Sequence, residues 1–286
     1  MKNVIWGILL ALLVCTGALA ESSVWKAQKG NSILYLGGTC HVLREVDFPL
    51  PPEFDRAYQA SEILVFETDI SKFQDPLAQQ RLLAKAMYAD GSTVDKHLSP
   101  RVYGELSAYC DANGIPLKAF SQFKPSMIMV TLTVMELMKL GVSQQGVDHF
   151  FYGRATKDKK VVEGLETVDE QINYVVSMAD GNEDSFVRYS IQDMKTIKQQ
   201  YETLLNAWRA GNAGKLDELM FAELKTQQPK LYKKLISDRN RNWMPVIDAY
   251  QKTPQTRFVL VGVGHLVGPD GLVEALKKRG YKVAKL

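Results

Sequence analysis

Four histidines occur in the 286 residues, and two of them close matching segments at opposite ends of the chain. Ile33 to Leu36 is an apolar run leading into Gly37-Gly38-Thr39-Cys40-His41, and Phe258 to Val261 is another leading into Gly262-Val263-Gly264-His265. Each reads as a strand that breaks at a glycine, Gly38 or Gly262, with a histidine three residues on. Glycine permits a sharp turn and a close backbone approach to a bound group, and neutral imidazole is a common transition-metal ligand. Singly, each histidine reads as a core or surface residue behind a turn. Together they point to one divalent-metal site built from two strand ends. Glu67 follows a third apolar run, Ile63-Leu64-Val65-Phe66, and is the carboxylate best placed to join them, as ligand or as base toward an activated water. Asp69 would share its face if the strand continued, but reads better as a helix cap.

The remaining polar residues carry weaker signals. His149 beside Asp148 reads as a solvated helix position before it reads as a catalytic pair, and His97 lies in a polar stretch. Arg239, Arg241 and Trp243 form a basic and aromatic cluster that suits a packed helix face. Cys40 adjoins His41, and alternation along an extended segment points it away if His41 points in. Nothing in the sequence matches a zincin helix, a P-loop, a dinucleotide fingerprint or a Gly-x-Ser-x-Gly elbow.

The elements that must position these residues are α and β. Ser23 to Gln28 and Ser32 to Leu36 read as a hairpin around Lys29-Gly30-Asn31. Pro51-Pro52 opens a helix to about Ala60, and Ile63 to Phe66 is a buried strand. From about Asp75 to Trp243 the pattern is mainly helical. Pro125 starts a methionine-rich helix, Lys160 to Val162 is a short strand, and Val168 to Ala179 is a helix. Arg257 to Val261 is a strand, Gly271 to Arg279 a helix capped by Gly280, and Tyr281 to Ala284 the last strand. The expected fold is α/β, with strands from the N- and C-terminal segments around one cleft and a large helical middle section. Ligands of such sheets bind beyond the carboxyl ends of the strands, where both histidine motifs would fall.

Residues 1–20 read as a signal peptide rather than as fold. Lys2 precedes an apolar core from Ile5 to Thr16, and Ala18-Leu19-Ala20 suits cleavage before Glu21. Val14 before Cys15 argues against a lipoprotein site. Cleavage would leave residues 21–286 as one domain and lower the formal charge from +3 to +2, since Lys2 alone among charged residues is lost. That balance supplies no basic face for a nucleic-acid partner, and no transmembrane segment is expected in the mature chain. The product would be periplasmic or secreted, where Cys40 and Cys110 could pair or remain free thiols.

The paired Gly-x-x-His segments with Glu67 after an early strand resemble the TraB/GumN family, which includes the Tiki proteases. Gly146-Val147-Asp148, Gly164-Leu165-Glu166-Thr167 with Gln171, Arg239-Asn240, and Gly264-His265-Leu266-Val267-Gly268 with Gly271-Leu272 fit the same pattern. The resemblance runs from about Ile33 to the end. It implies a fold similar to the erythromycin-esterase and ChaN-like proteins, and a peptidase using manganese, cobalt or zinc on a peptide or protein substrate. His41 and His265 would hold the metal, Glu67 would ligate it or activate water, and Arg239 and Asn240 would bind substrate or order the site. Glu166 and Gln171 would be structural. The alternative is a non-catalytic periplasmic metal- or haem-binding protein of the same fold; a third reading is a partner-binding scaffold.

Overall fold

The structure, a computed structural model, describes residues 22–143 and 145–286. The signal-peptide reading concerns residues outside that range. Six strands form one sheet: β1 (Val24–Lys29), β2 (Ser32–Thr39), β3 (Ile63–Phe66), β4 (Val161–Gly164), β5 (Arg257–Gly262) and β6 (Lys282–Lys285). Their order is β4-β3-β5-β2-β1-β6. The first four in that order are mutually parallel, whereas β1 runs antiparallel to both β2 and β6.

Burial explains why the central strands read as unbroken apolar runs. All four residues of β3 and all six of β5 are buried, as expected of parallel strands covered on both faces. The opening hairpin turns at Gly30, whose φ of +58° falls where glycine carries no steric penalty. Pro52 sits at the first turn of the Pro52–Gln59 helix, where its missing N–H costs nothing. Gly280, at φ +82°, ends the Leu272–Lys278 helix as read from the sequence. The Val168–Val176 helix stops three residues short of Ala179.

The sheet packs against a core that includes Trp208, Trp243, Phe54, Phe151 and Phe258. Each large side chain buried there contributes about 1.5–3 kcal/mol. The helical middle builds a second cluster from the Pro100–Ala112, Pro125–Lys139 and Glu183–Met194 helices, and Cys110 lies inside it. Cys40 packs instead against the sheet core, and both cysteines are free thiols. Met129 is core, whereas Met138 is 61% exposed. Among the described residues, no helix is long and apolar enough to cross a membrane.

The topology brings three sequence-distant strand ends together. β5 lies between β3 and β2, with Leu260 opposite Phe66 and Gly262 opposite Thr39. Glu67 therefore leaves the sheet on one side of Gly262 and His41 on the other. All three strands present their carboxyl ends at the same edge.

Candidate functional site

Gly262 makes room for the site. A Cβ at this position would lie 2.9 Å from His41 Nε2 and 3.2 Å from Glu67 Oε1. The space above the end of β5 is thus shared by the imidazole from one neighbour and the carboxylate from the other. Gly38 lies within β2 rather than at a turn, and a Cβ there would press on Val263 at 2.7 Å. Gly264 similarly admits Phe221. These two glycines serve packing; Gly262 borders the chemistry.

Glu67 is the centre of the arrangement. It is 7% exposed, accepts the Gly262 backbone N–H at Oε1 (2.8 Å) and accepts Arg239 Nη2 at Oε2 (2.6 Å). Oε1 also lies 3.8 Å from His41 Nε2 and 3.9 Å from His265 Nε2. Burial alone would raise the Glu67 pKa, but Arg239, His265, His41 and the Gly262 N–H together hold the carboxyl well below the ordinary range.

His265 is buried in the short 3₁₀ turn Val263–His265 that follows β5, and its tautomer follows from its neighbours. The Asn240 Nδ2 amide donates to two carbonyls, of His265 (3.1 Å) and Asp270 (2.8 Å), so Oδ1 faces the ring. That oxygen accepts from His265 Nδ1 at 2.8 Å, leaving the Nε2 lone pair to accept from Arg239. Arg239 Nη1 lies 3.0 Å from the same Nε2, and the Trp243 ring packs 4.5 Å from the imidazole. Burial, the largest influence, lowers the His265 pKa to about 3 despite the attraction of Glu67. The ring is neutral.

His41 is held differently. The Gly146 backbone presses so closely on His41 that a side chain there would collide with the His41 carbonyl, and Val147 N–H donates to Cys40 O at 3.0 Å. This seats the start of the Val147–Lys157 helix against the loop, and Asp148 Oδ2 reaches His41 Nδ1 at 2.8 Å. The other nitrogen, Nε2, faces Glu67. Asp148 chiefly, then Glu67, raise the His41 pKa to about 9 against the effect of burial. Its side chain is nevertheless 61% exposed, so water screens the pair.

Behind Glu67, the ladder continues for two residues past β3 and β4. Leu165 N–H donates to Phe66 O and Glu166 N–H to Glu67 O, placing the two glutamates side by side. Arg239 bridges them, donating from Nε (3.1 Å) and Nη2 (2.6 Å) to Glu166, which also accepts from Trp243 Nε1 at 3.0 Å. Gln171 Nε2 stands 3.5 Å from Glu67 Oε2. Arg239 and Asn240 belong to the Asp238–Ala249 helix, directly after a π-turn at Lys233–Ser237. Such turns insert an extra residue per turn and recur at functional sites.

The chain matches the TraB/PrgY/gumN family over residues 23–285. It belongs to that family. Among curated proteins, this TraB/PrgY/gumN chain is 24% identical over 254 residues to the uncharacterized protein YbaP of Escherichia coli (strain K12), covering 87% of this chain and 89% of that protein. YbaP of Shigella flexneri matches to the same extent. The metalloprotease TIKI2 of Danio rerio is also 24% identical, over 303 residues, covering 87% of this chain but 57% of its own length. No solved structure matches the chain.

Of the residues singled out in the sequence, His41, Glu67, His265, Arg239 and Asn240 converge in this TraB/PrgY/gumN fold. Glu166 and Gln171 adjoin them. Asp69 caps the Ile70–Phe73 turn instead, accepting from Ser71 N–H. Arg241 turns away to pair with Asp238, and His97 bonds Ser92 and stacks on Tyr88. His149 is exposed and borders a cleft beside His41. Sequence reasoning gave no site role to Asp148, which it noted beside His149 and within the Gly146-Val147-Asp148 segment of the family pattern, or to Trp243, which it read as packing. That segment was the signal for Asp148.

The residue types gathered here, two imidazoles and a carboxylate, are ones that divalent transition metals take as ligands. The two Nε2 atoms lie 3.8 and 3.9 Å from one carboxylate oxygen, and each ring has its Nδ1 fixed by a hydrogen-bond partner, the arrangement that orients metal-binding histidines. Neighbouring donors in a shell with bonds of about 2.1 Å stand about 3.0–3.4 Å apart. Among the described residues, no three His, Cys, Asp or Glu side chains are already drawn to that spacing. Arg239 Nη1, 3.0 Å from His265 Nε2, places a guanidinium against that ring nitrogen.

Proposed function

We propose that this chain is an exported metal-dependent hydrolase of peptide bonds, with His41, His265 and Glu67 holding the ion. The observation that carries the reading is the convergence of both Nε2 atoms on Glu67 Oε1. Bound there, manganese, cobalt or zinc would polarise the scissile carbonyl and lower the pKa of water.

The protein's own part is positioning. Asp148 and Asn240 hold the two rings so that lone pairs face inward once His41 is neutral. Glu67, kept ionised by its neighbours, is free to act as a ligand but is a weak general base, since efficient bases titrate near the working pH. Arg239 bridges the paired glutamates, offsetting one of their two charges, and keeps Glu67 aimed. The 24% identity with the metalloprotease TIKI2 supports this reading.

The test is peptide cleavage by the mature protein supplied with each ion. Activity should vanish with a chelator, return on adding metal, and be absent in Glu67→Ala and His41→Ala. Cleavage that survives the chelator would end the metal reading. The proposal of export is checked separately, by N-terminal sequencing of the exported protein, which should begin at Glu21.

The second reading, a metal- or haem-binding protein without turnover, uses the same histidines. The ionised state of Glu67 favours it, because a carboxylate held well below the ordinary range by Arg239 is a poor general base. The adjoining cleft of about 230 Å³ weighs against haem, since pockets that enclose whole ligands run to about 300–1,000 Å³.

A further inference from the structure

We propose that the cleft walled by Phe66, Ile70 and Phe73 is the subsite that takes one large apolar side chain of a peptide substrate, next to the bond being cleaved. This rests on the peptidase reading and adds to it the class of residue recognised. The cleft is continuous with the site, because His41, Glu67 and Asp148 are among the residues that line it. Its volume, about 230 Å³, suits a single side chain rather than a whole cofactor.

Its chemistry selects an apolar group. Two aromatic rings and an isoleucine form the walls, and neither Lys nor Arg lines it. Two carboxylates line it, so an acidic substrate side chain would be repelled. An apolar one would be desolvated against the rings, gaining roughly in proportion to the area it buries. The remaining lining residues are polar and suit a peptide backbone. Thr68 Oγ1 is buried without a hydrogen-bond partner among the described residues, and Gln74, Gln171 and His149 also border the cleft.

The experiment compares otherwise identical peptides carrying Phe, Leu, Ala or Asp beside the scissile bond, cleaved by the metal-loaded protein. Phe and Leu should exceed Ala and Asp in kcat/KM by at least about tenfold, the scale of discrimination set by apolar pockets. Ile70→Trp, which fills the cleft, should abolish or invert the Phe-to-Ala ratio, mainly through KM. Phe73→Ala, which enlarges it, should shift the preference toward Trp; circular dichroism reports whether each variant is folded. A flat preference, or a ratio untouched by both folded variants, overturns the subsite and leaves the hydrolase reading standing. If no peptide is cleaved, the hydrolase reading fails, and calorimetry with acetyl-phenylalanine amide and acetyl-alanine amide decides the subsite. Binding of the Phe compound at least about tenfold tighter retains the cleft as an apolar side-chain site; equal binding overturns it.

Discussion

His41 and His265 stand in near-identical local sequences, yet the fold gives them opposite environments. His265 is 4% exposed, takes an amide oxygen at Nδ1 and is neutral. His41 is 61% exposed at its side chain, takes a carboxylate at the same atom and is readily charged. A Gly-x-x-His segment therefore fixes where the ring emerges, while packing and the Nδ1 partner fix its protonation. One half of the site is a rigid donor built into the core. The other is an accessible donor at the mouth of the cleft.

The largest expected effect comes from removing what the two halves share. Glu67→Ala would take the acceptor from the buried Gly262 N–H and one of the two carboxylates from Arg239, at about 1–3 kcal/mol for each lost hydrogen bond. Denaturant unfolding should show that loss together with loss of metal binding. A wild-type-like midpoint would mean that Glu67 does not anchor the core.

Next, His265→Gln and His41→Ala should separate stability from binding. The first removes buried contacts with Asn240, Arg239 and Trp243 and should cost about 2–3 kcal/mol. The second breaks a screened pair and should cost less than about 1 kcal/mol while still abolishing metal retention. Equal losses of stability would erase the distinction between core and mouth.

Gly262→Ala probes the space between them. Its Cβ would press on His41 Nε2 and Glu67 Oε1, so metal affinity should fall at least about tenfold, for at most about 1–3 kcal/mol of overpacking. Unchanged affinity would show that this space is not the binding point.

The smallest effect is in pH dependence, and its signs are opposite. The folded His265 titrates near 3 and an unfolded one near 6.5, so it lowers stability as pH falls from 6.5 toward 3. The folded His41 titrates near 9, so its contribution is complete below 6.5 and is lost as pH rises through 9. The destabilisation by His265→Gln should accordingly shrink in acid, and that by His41→Ala in alkali, when unfolding is followed across pH. The same trend for both would contradict the assigned states.

Much of this was legible in the sequence because it is written locally. Apolar runs gave β2 and β5, which end in glycine, and β3, which ends at Glu67 and so marked that residue; the family pattern gave Arg239 and Asn240 as site residues. What was not legible depends on tertiary contact. The interposition of β5 between β2 and β3 decides that Gly262, and not Gly38, borders the site. Asp148 joins His41 only because Gly146 lets two backbones meet. The burial that separates the two histidines comes from Trp243 and the Asp238–Ala249 helix on one side and open solvent on the other.

Metal content tests the shared site most directly. The mature wild-type protein, exposed to manganese, cobalt and zinc and then desalted, should retain close to one equivalent of one of them by elemental mass spectrometry. Folded His41→Ala should retain almost none. Retention by the variant equal to wild type, or no retention by either, would contradict a metal centre formed by His41, Glu67 and His265.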